Sequence, residues 1–314
     1  MVRGLIAFVA PAVLLAAACG AEPAQSGMRD ASAGDVATGD AATGDAAPAA
    51  TPTAGLCPEG TGVGGVVVFQ SEPDAVTRIS SWLMNAYDPR ARPQPVAVDG
   101  DCVYMMPTTP VCDPPCGDVY QYVCTLDHRC MPAPQPRALG DMKLTFGRSG
   151  TDPELLFTVT PSGDISDPFP LLVPGAEIVA RSSAGDHDPF TLRALGVATV
   201  GPVAVPGGAV FTGGQPLAVT WTPGGQPEVD RVTVRLSATF DNGPPGDVVC
   251  DFADTGSAVI PASMVDRQAS YDMALRLSVY RSTAQAVTLA QGCVYLQVSS
   301  VDGLRITPAP VSPP

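Results

Sequence analysis

From Arg231 to Phe240 the chain reads RVTVRLSATF, with Val232, Val234, Leu236, Ala238 and Phe240 at alternate places and Arg, Thr or Ser between them. Side chains of an extended chain point to opposite faces in turn, whereas a helix repeats its apolar stripe about every 3.6 residues. The pattern therefore predicts a strand with one buried and one wetted face. MALRLSVY repeats it through Met273, Leu275, Leu277 and Val279, and CVYLQVSS repeats it from Cys293. Shorter candidates are GVVVFQ from Gly65, RISSWLMNAY from Arg78, DCVYMM from Asp101, MKLTF from Met142 and LLFTVT from Leu155. AEIVARS from Ala176, PFTLRAL from Pro189 and LAVTW from Leu217 complete the series. Between them lie PGG, TPGG, DNGPPGD, PSGD and AGDHD, which are turn compositions. A single short helical turn is expected at Pro261 to Asp266.

Many short strands at close intervals predict an all-β chain of sandwich type. The expected division is a β domain at 57–198, interrupted by a disulfide-rich insertion at 107–136, and a second sandwich at 199–306. A Pro-rich tail follows at 307–314. GGQPLAVTWTPGG, near the start of the second sandwich, resembles the early strands of bacterial Ig-like surface domains. That resemblance implies an immunoglobulin- or fibronectin-like fold with Trp221 in its core, and it specifies fold class and not activity.

The N-terminus carries an address. Arg3 precedes an apolar run from Leu5 to Ala18, too short for the roughly 20 residues that a membrane-spanning helix needs. It reads as an export signal over 1–18. Its end, Leu15-Ala16-Ala17-Ala18-Cys19, resembles a bacterial lipoprotein signal, although Ala16 stands where leucine is commonest. The resemblance implies lipidation of Cys19, cleavage before it, and a membrane partner through the acyl chains. Gly20 replaces the aspartate associated with inner-membrane retention, so the outer membrane is the expected site. Residues 19–56 are rich in Ala, Gly, Thr, Pro and Asp, with nothing to bury, and read as a disordered acidic tether.

The 314-residue chain has a formal net charge of −14, with 17 basic residues of which only Lys143 is a lysine. Such a balance excludes nucleic acid as a partner, because phosphates are met by Lys and Arg clusters. Once Cys19 is set aside, Cys57, Cys102, Cys112, Cys116, Cys124, Cys130, Cys250 and Cys293 remain. An even number in an exported chain predicts disulfides. The expected pairs are Cys57–Cys102, Cys112–Cys124, Cys116–Cys130 and Cys250–Cys293. CDPPCGDVYQYVCTLDHRC could instead hold zinc through four thiolates. An oxidising exterior favours disulfides, and the segment resembles small cysteine-rich knots, in which a hairpin is stapled twice.

Candidate chemistry is sparse. Asp254-Thr255-Gly256-Ser257 resembles the active-site loop of aspartic proteases, which need two such carboxylates about 3 Å apart sharing one proton. The chain has no second copy. Asp and Gly also suit a tight turn between strands, and that is the expected role. Asp186, His187 and Asp188, with Asp164 or Asp167, form a weak candidate metal loop, and a solvated turn is the expected reading. Trp82 and Tyr87 could stack a sugar, with core packing the expected alternative. No G-x-S-x-G, P-loop, H-E-x-x-H or EF-hand pattern occurs. The sequence thus predicts a non-enzymatic envelope lipoprotein that binds an unknown protein or glycan and uses no cofactor or metal. An envelope hydrolase acting through Asp254 is the alternative.

Overall fold

Alternating apolar residues settle into strands whose buried positions follow the same period. Over Arg231–Ala238 exposure alternates, with Val232, Val234 and Leu236 inside. A computed structural model describes residues 53–309 except 59, 72–75, 89–91, 109, 119–120, 126, 138–140, 148–153, 159–163, 168–170, 184–186, 227–228, 230, 239–245 and 270–273. The signal at 1–18, Cys19, the tether up to residue 52 and the tail from 310 lie outside the described residues.

The first ten strands are β1 (Thr53–Ala54), β2 (Gly62–Ser71), β3 (Val76–Leu83), β4 (Arg92–Asp99), β5 (Cys102–Thr108), β6 (Tyr122–Cys124), β7 (Cys130–Pro132), β8 (Asp141–Phe146), β9 (Glu154–Thr158) and β10 (Asp164–Asp167). The rest are β11 (Glu177–Ser182), β12 (Phe190–Leu195), β13 (Val210–Phe211), β14 (Leu217–Thr220), β15 (Arg231–Ala238), β16 (Asp247–Ala253), β17 (Ser257–Ile260), β18 (Leu275–Leu289) and β19 (Gly292–Pro308). Helix α1 (Ala262–Ala269) outruns the turn expected at 261–266, because Met264, Val265 and Gln268 share a buried face.

One long sheet runs β10-β3-β2-β19-β18-β15-β16-β5-β4, with β1 on β18 and β13 on β19. A four-stranded sheet, β12-β11-β8-β9, and a pair, β14-β17, accompany it. Two hydrophobic cores result. The first joins Val66, Val68 and Ile79 to Leu144, Ile178 and Leu192, and the second joins Val234, Leu236 and Val248 to Val219, Trp221 and Ile260.

The two cores do not separate at residue 198. β5, from the N-terminal half, pairs with β16 and carries β4 on its other edge, while β2 runs parallel to β19. The long strands β18 and β19 contribute to both cores. On one face of β18, Leu275, Leu277 and Val279 enter the second core and Val287 and Leu289 enter the first. Between them on that face stand Arg281, Thr283 and Gln285. On β19, Val294, Leu296 and Val298 are separated from Leu304 and Ile306 by Ser300 and Asp302.

This polar belt binds the chain as it crosses between the cores. Thr283 Oγ1 donates to the Leu195 carbonyl (2.5 Å), Ser300 Oγ accepts from the Val200 amide (3.0 Å), and Asp302 Oδ2 accepts from the Val203 amide (2.8 Å). The crossing segment bridges to β14 at Ala204–Thr220, and its Val200 carbonyl accepts from the Thr222 amide; the belt side chains satisfy further main-chain groups that no ladder reaches.

Two expected disulfides are corrected by this topology. Cys57 pairs with Cys293, not Cys102, and Cys102 pairs with Cys250. Cys102 and Cys250 are cross-strand neighbours on β5 and β16, and Cys293 lies beside Gly62, just past Cys57. Cys112–Cys124 and Cys116–Cys130 staple the β6-β7 hairpin as expected. The ends of the fold are also corrected. Thr53 and Ala54 form β1 inside the expected tether, and Thr307 and Pro308 finish β19 against β13 inside the expected tail.

Candidate functional site

Asp254 follows β16 in the tight turn to β17, so the DTGS tetrapeptide does connect two strands. Its carboxylate is not in solvent. Its side chain is 3% exposed, and that of Arg281 is fully buried. Arg281 Nε donates to Oδ2 (2.8 Å) and Nη2 to Oδ1 (2.9 Å). The Trp221 indole donates to Oδ1 (2.8 Å) and the Gly224 amide to Oδ2 (3.0 Å). The remaining guanidinium protons go to the carbonyls of Ala198 (2.9 Å), Thr199 (2.6 Å) and Thr222 (2.8 Å).

Each carboxylate oxygen thus accepts two hydrogen bonds, and all five guanidinium N–H groups are used. Burial alone would raise the Asp254 pKa. The hydrogen bonds from Arg281, Trp221 and Gly224 and the Arg281 charge outweigh it and hold the carboxyl below its ordinary value. A carboxylate in this state has no free lone pair with which to activate water. Gly224 is required here, because a Cβ on it would stand 2.6 Å from Arg281 Nε and 2.9 Å from Asp254 Oδ2.

The other candidates disperse. His187 is buried, its Nε2 3.2 Å from Ser182 Oγ and its Nδ1 2.6 Å from the Asp188 carbonyl. Both ring nitrogens are therefore committed, one to the last residue of β11 and the other to the loop before β12. Asp186 lies outside the described residues, and Asp164 and Asp167 fall on β10 beside β3. The sulfurs of Cys112, Cys116 and Cys124 lie within 4.8 Å of one another, but each belongs to a disulfide. Trp82 packs edge to face on Tyr295, with ring centroids 5.6 Å apart. Both rings lie over Gly65, where a Cβ would come within 2.9 Å of Tyr295 and 3.1 Å of Trp82. Burial pushes the Tyr295 pKa up to about 12. Tyr87, half-buried beyond β3, is not Trp82's ring partner.

A groove of about 820 Å³ lies where the first core opens. β8 contributes Asp141, Met142 and Lys143, the end of β11 contributes Arg181 and Ser182, and β12 contributes Phe190, Thr191 and Arg193. Gln285, Val287 and Leu289 of β18 close the other side. The wall is stiffly held. Gln285 Oε1 accepts from the Arg193 amide (2.6 Å), Arg193 Nη1 pairs with Glu177 (2.6 Å), and Ser183 Oγ donates to the Asp141 carbonyl (3.2 Å). Sequence reasoning missed this groove, whose basic residues are scattered over three strands. The isolation of Lys143 as the one lysine was the only signal pointing there.

No family model matches the chain, and no curated protein matches its sequence. Solved structures similar to it include the FN1-FN3 domains of chicken CNTN1, at 11% identity over 74% of this chain and 78% of that one, with a TM-score of 0.23. Escherichia coli alpha-2-macroglobulin activated by porcine elastase is 12% identical over 76% of this chain and 26% of that one (TM-score 0.21). A structure from a 1.5-MDa bacterial ice-binding adhesin, studied for host cell surface retention, is 14% identical over 76% of each chain (TM-score 0.20). At these scores the likenesses assign no ligand and no role. By its own strands and cores the chain is an all-β, disulfide-bonded protein of sandwich architecture.

Proposed function

We propose that the chain is a non-enzymatic, lipid-anchored protein of the cell envelope that holds a ligand in the groove of its first core. The observation that carries this reading is the groove itself, a concavity of about 820 Å³ walled by hydrogen-bonded strands. Concave sites on rigid elements are the usual seats of recognition. The lipobox-like Leu15–Cys19, the acidic tether and the disulfides support an extracytoplasmic address.

Two measurements test it. Palmitate should label the full-length chain expressed in a diderm bacterium and should not label Cys19→Ala. The chain from Gly20 onward, made without lipid, should still sediment with washed envelopes from the same bacterium. An unlabelled full-length protein contradicts the anchor, and an unlipidated chain that stays in the supernatant contradicts the binding role.

A hydrolase remains the second reading, and one contact favours it: Ser182, on the groove wall, has its Oγ 3.2 Å from His187 Nε2, although that hydroxyl also donates to the Ser183 carbonyl (3.0 Å). A serine held by a histidine is the start of a nucleophile–base pair. Ser182 is only 4% exposed, and the third group at His187 is the main-chain carbonyl of Asp188. Labelling of the intact protein by a fluorophosphonate, lost in Ser182→Ala, would establish this reading over the first.

A further inference from the structure

The groove carries a charge opposite to that of the chain around it. Lys143, Arg181 and Arg193 line it and Asp141 is its one acidic lining residue, in a protein of net charge −14. Arg181 and Lys143 stand directly opposite each other on β11 and β8. Like charges so placed work against the sheet unless an anion lies near them. Lys143 is engaged within the fold. Arg181 is exposed, and among the described residues no hydrogen bond or ion pair occupies its guanidinium. Arg193, about half exposed, shares one nitrogen with Glu177.

We infer that the groove binds an anionic oligosaccharide, with carboxylate or sulfate groups on Arg181 and Arg193 and a sugar hydroxyl on Thr191. This rests on the binding reading above and names the ligand class for the same site. A planar guanidinium meets such an oxyanion with two parallel hydrogen bonds. An acidic peptide fits less well, because extended peptides gain affinity by adding to a free strand edge. The edge of β12 beside the groove is already occupied: Gln285 takes the Arg193 amide and Thr283 takes the Leu195 carbonyl. Recognition therefore falls to side chains, which suits a sugar.

The test is calorimetric titration of the intact, full-length protein with chondroitin-sulfate oligosaccharides, galacturonate oligosaccharides, neutral malto-oligosaccharides and a poly-glutamate peptide. A charged oligosaccharide should bind, more weakly as salt rises. Arg181→Ala should lower that affinity about tenfold or more, and Arg235→Ala, on an exposed ion pair with Asp247 away from the groove, should leave it unchanged. Near-ultraviolet circular dichroism of Arg181→Ala should match wild type. Equal binding of the neutral sugar, tighter binding of poly-glutamate, or an Arg181→Ala affinity equal to wild type each overturns the inference. Envelope retention of the unlipidated chain without affinity for either charged oligosaccharide overturns the ligand class and leaves the binding reading standing.

Discussion

Arg281 and Asp254 meet as a two-pronged ion pair between the two hydrophobic cores, with both side chains withdrawn from solvent. The pair ties the β16–β17 turn to the middle of β18 and, through the carbonyls of Ala198 and Thr199, to the crossing segment. Removing one partner leaves a buried charge unmatched, which costs about 3–5 kcal/mol. Arg281→Met should therefore lose about that much in urea unfolding. Adding Asp254→Leu to it should restore part of the loss, because the orphaned charge is gone. Gly224→Ala should destabilise by a comparable amount without touching either charge, since its methyl group occupies the guanidinium's place.

The ion pair also predicts an acid limit. The folded-state pKa of Asp254 lies below its ordinary value. Its contribution is therefore complete above the unfolded value, near 4, and is lost as pH falls through the folded value. Stability measured by chemical denaturation should decline toward acid more steeply in wild type than in Asp254→Asn, which has no proton to take up there. Parallel slopes would contradict the assignment.

Non-reducing peptide mapping should recover Cys57 joined to Cys293 and Cys102 joined to Cys250. Their sequence separations are 236 and 148. In the chain-entropy picture, loops of such length give each bond about 5 kcal/mol. Reduction should collapse the thermal transition, whereas a chelator without reductant should leave it unmoved. A chelator-sensitive transition would revive zinc at the β6-β7 hairpin.

Gly65→Val should destabilise by about 1–3 kcal/mol through overpacking, because Tyr295 and Trp82 already fill the space above it. The Trp82 environment should change with it, visible as altered near-ultraviolet circular dichroism. An unchanged spectrum with unchanged stability would mean that the two rings do not lie over the glycine.

The strand character of β15 was legible because every second residue is apolar and every second one is buried. β18 was legible only as far as Tyr280. RSTAQ breaks the apolar alternation, yet the strand continues, because Arg281 meets the crossing segment at Ala198 and Thr199 while Thr283 and Gln285 meet the main chain of β12. The same segment defeated a domain boundary drawn at residue 198. Cys112–Cys124 and Cys116–Cys130 were readable because their partners lie within one hairpin. The Cys57–Cys293 bond depends on β2 running parallel to β19, and local spacing carries no trace of that. Asp254 was readable as a turn residue, but its partners Arg281 and Trp221 lie 27 and 33 residues away in sequence. The groove escaped notice because Lys143, Arg181 and Arg193 converge only when β8, β11 and β12 pair.

Asp254, paired with Arg281, is expected to hold the fold together rather than to perform chemistry. The most direct measurement is the thermal midpoint of Asp254→Asn against wild type, read beside casein cleavage by both proteins at acid and neutral pH. The predicted result is a midpoint lowered by about 10 °C or more, with no cleavage by either protein. An unchanged midpoint, together with a casein-cleaving activity that disappears in the variant, would contradict it.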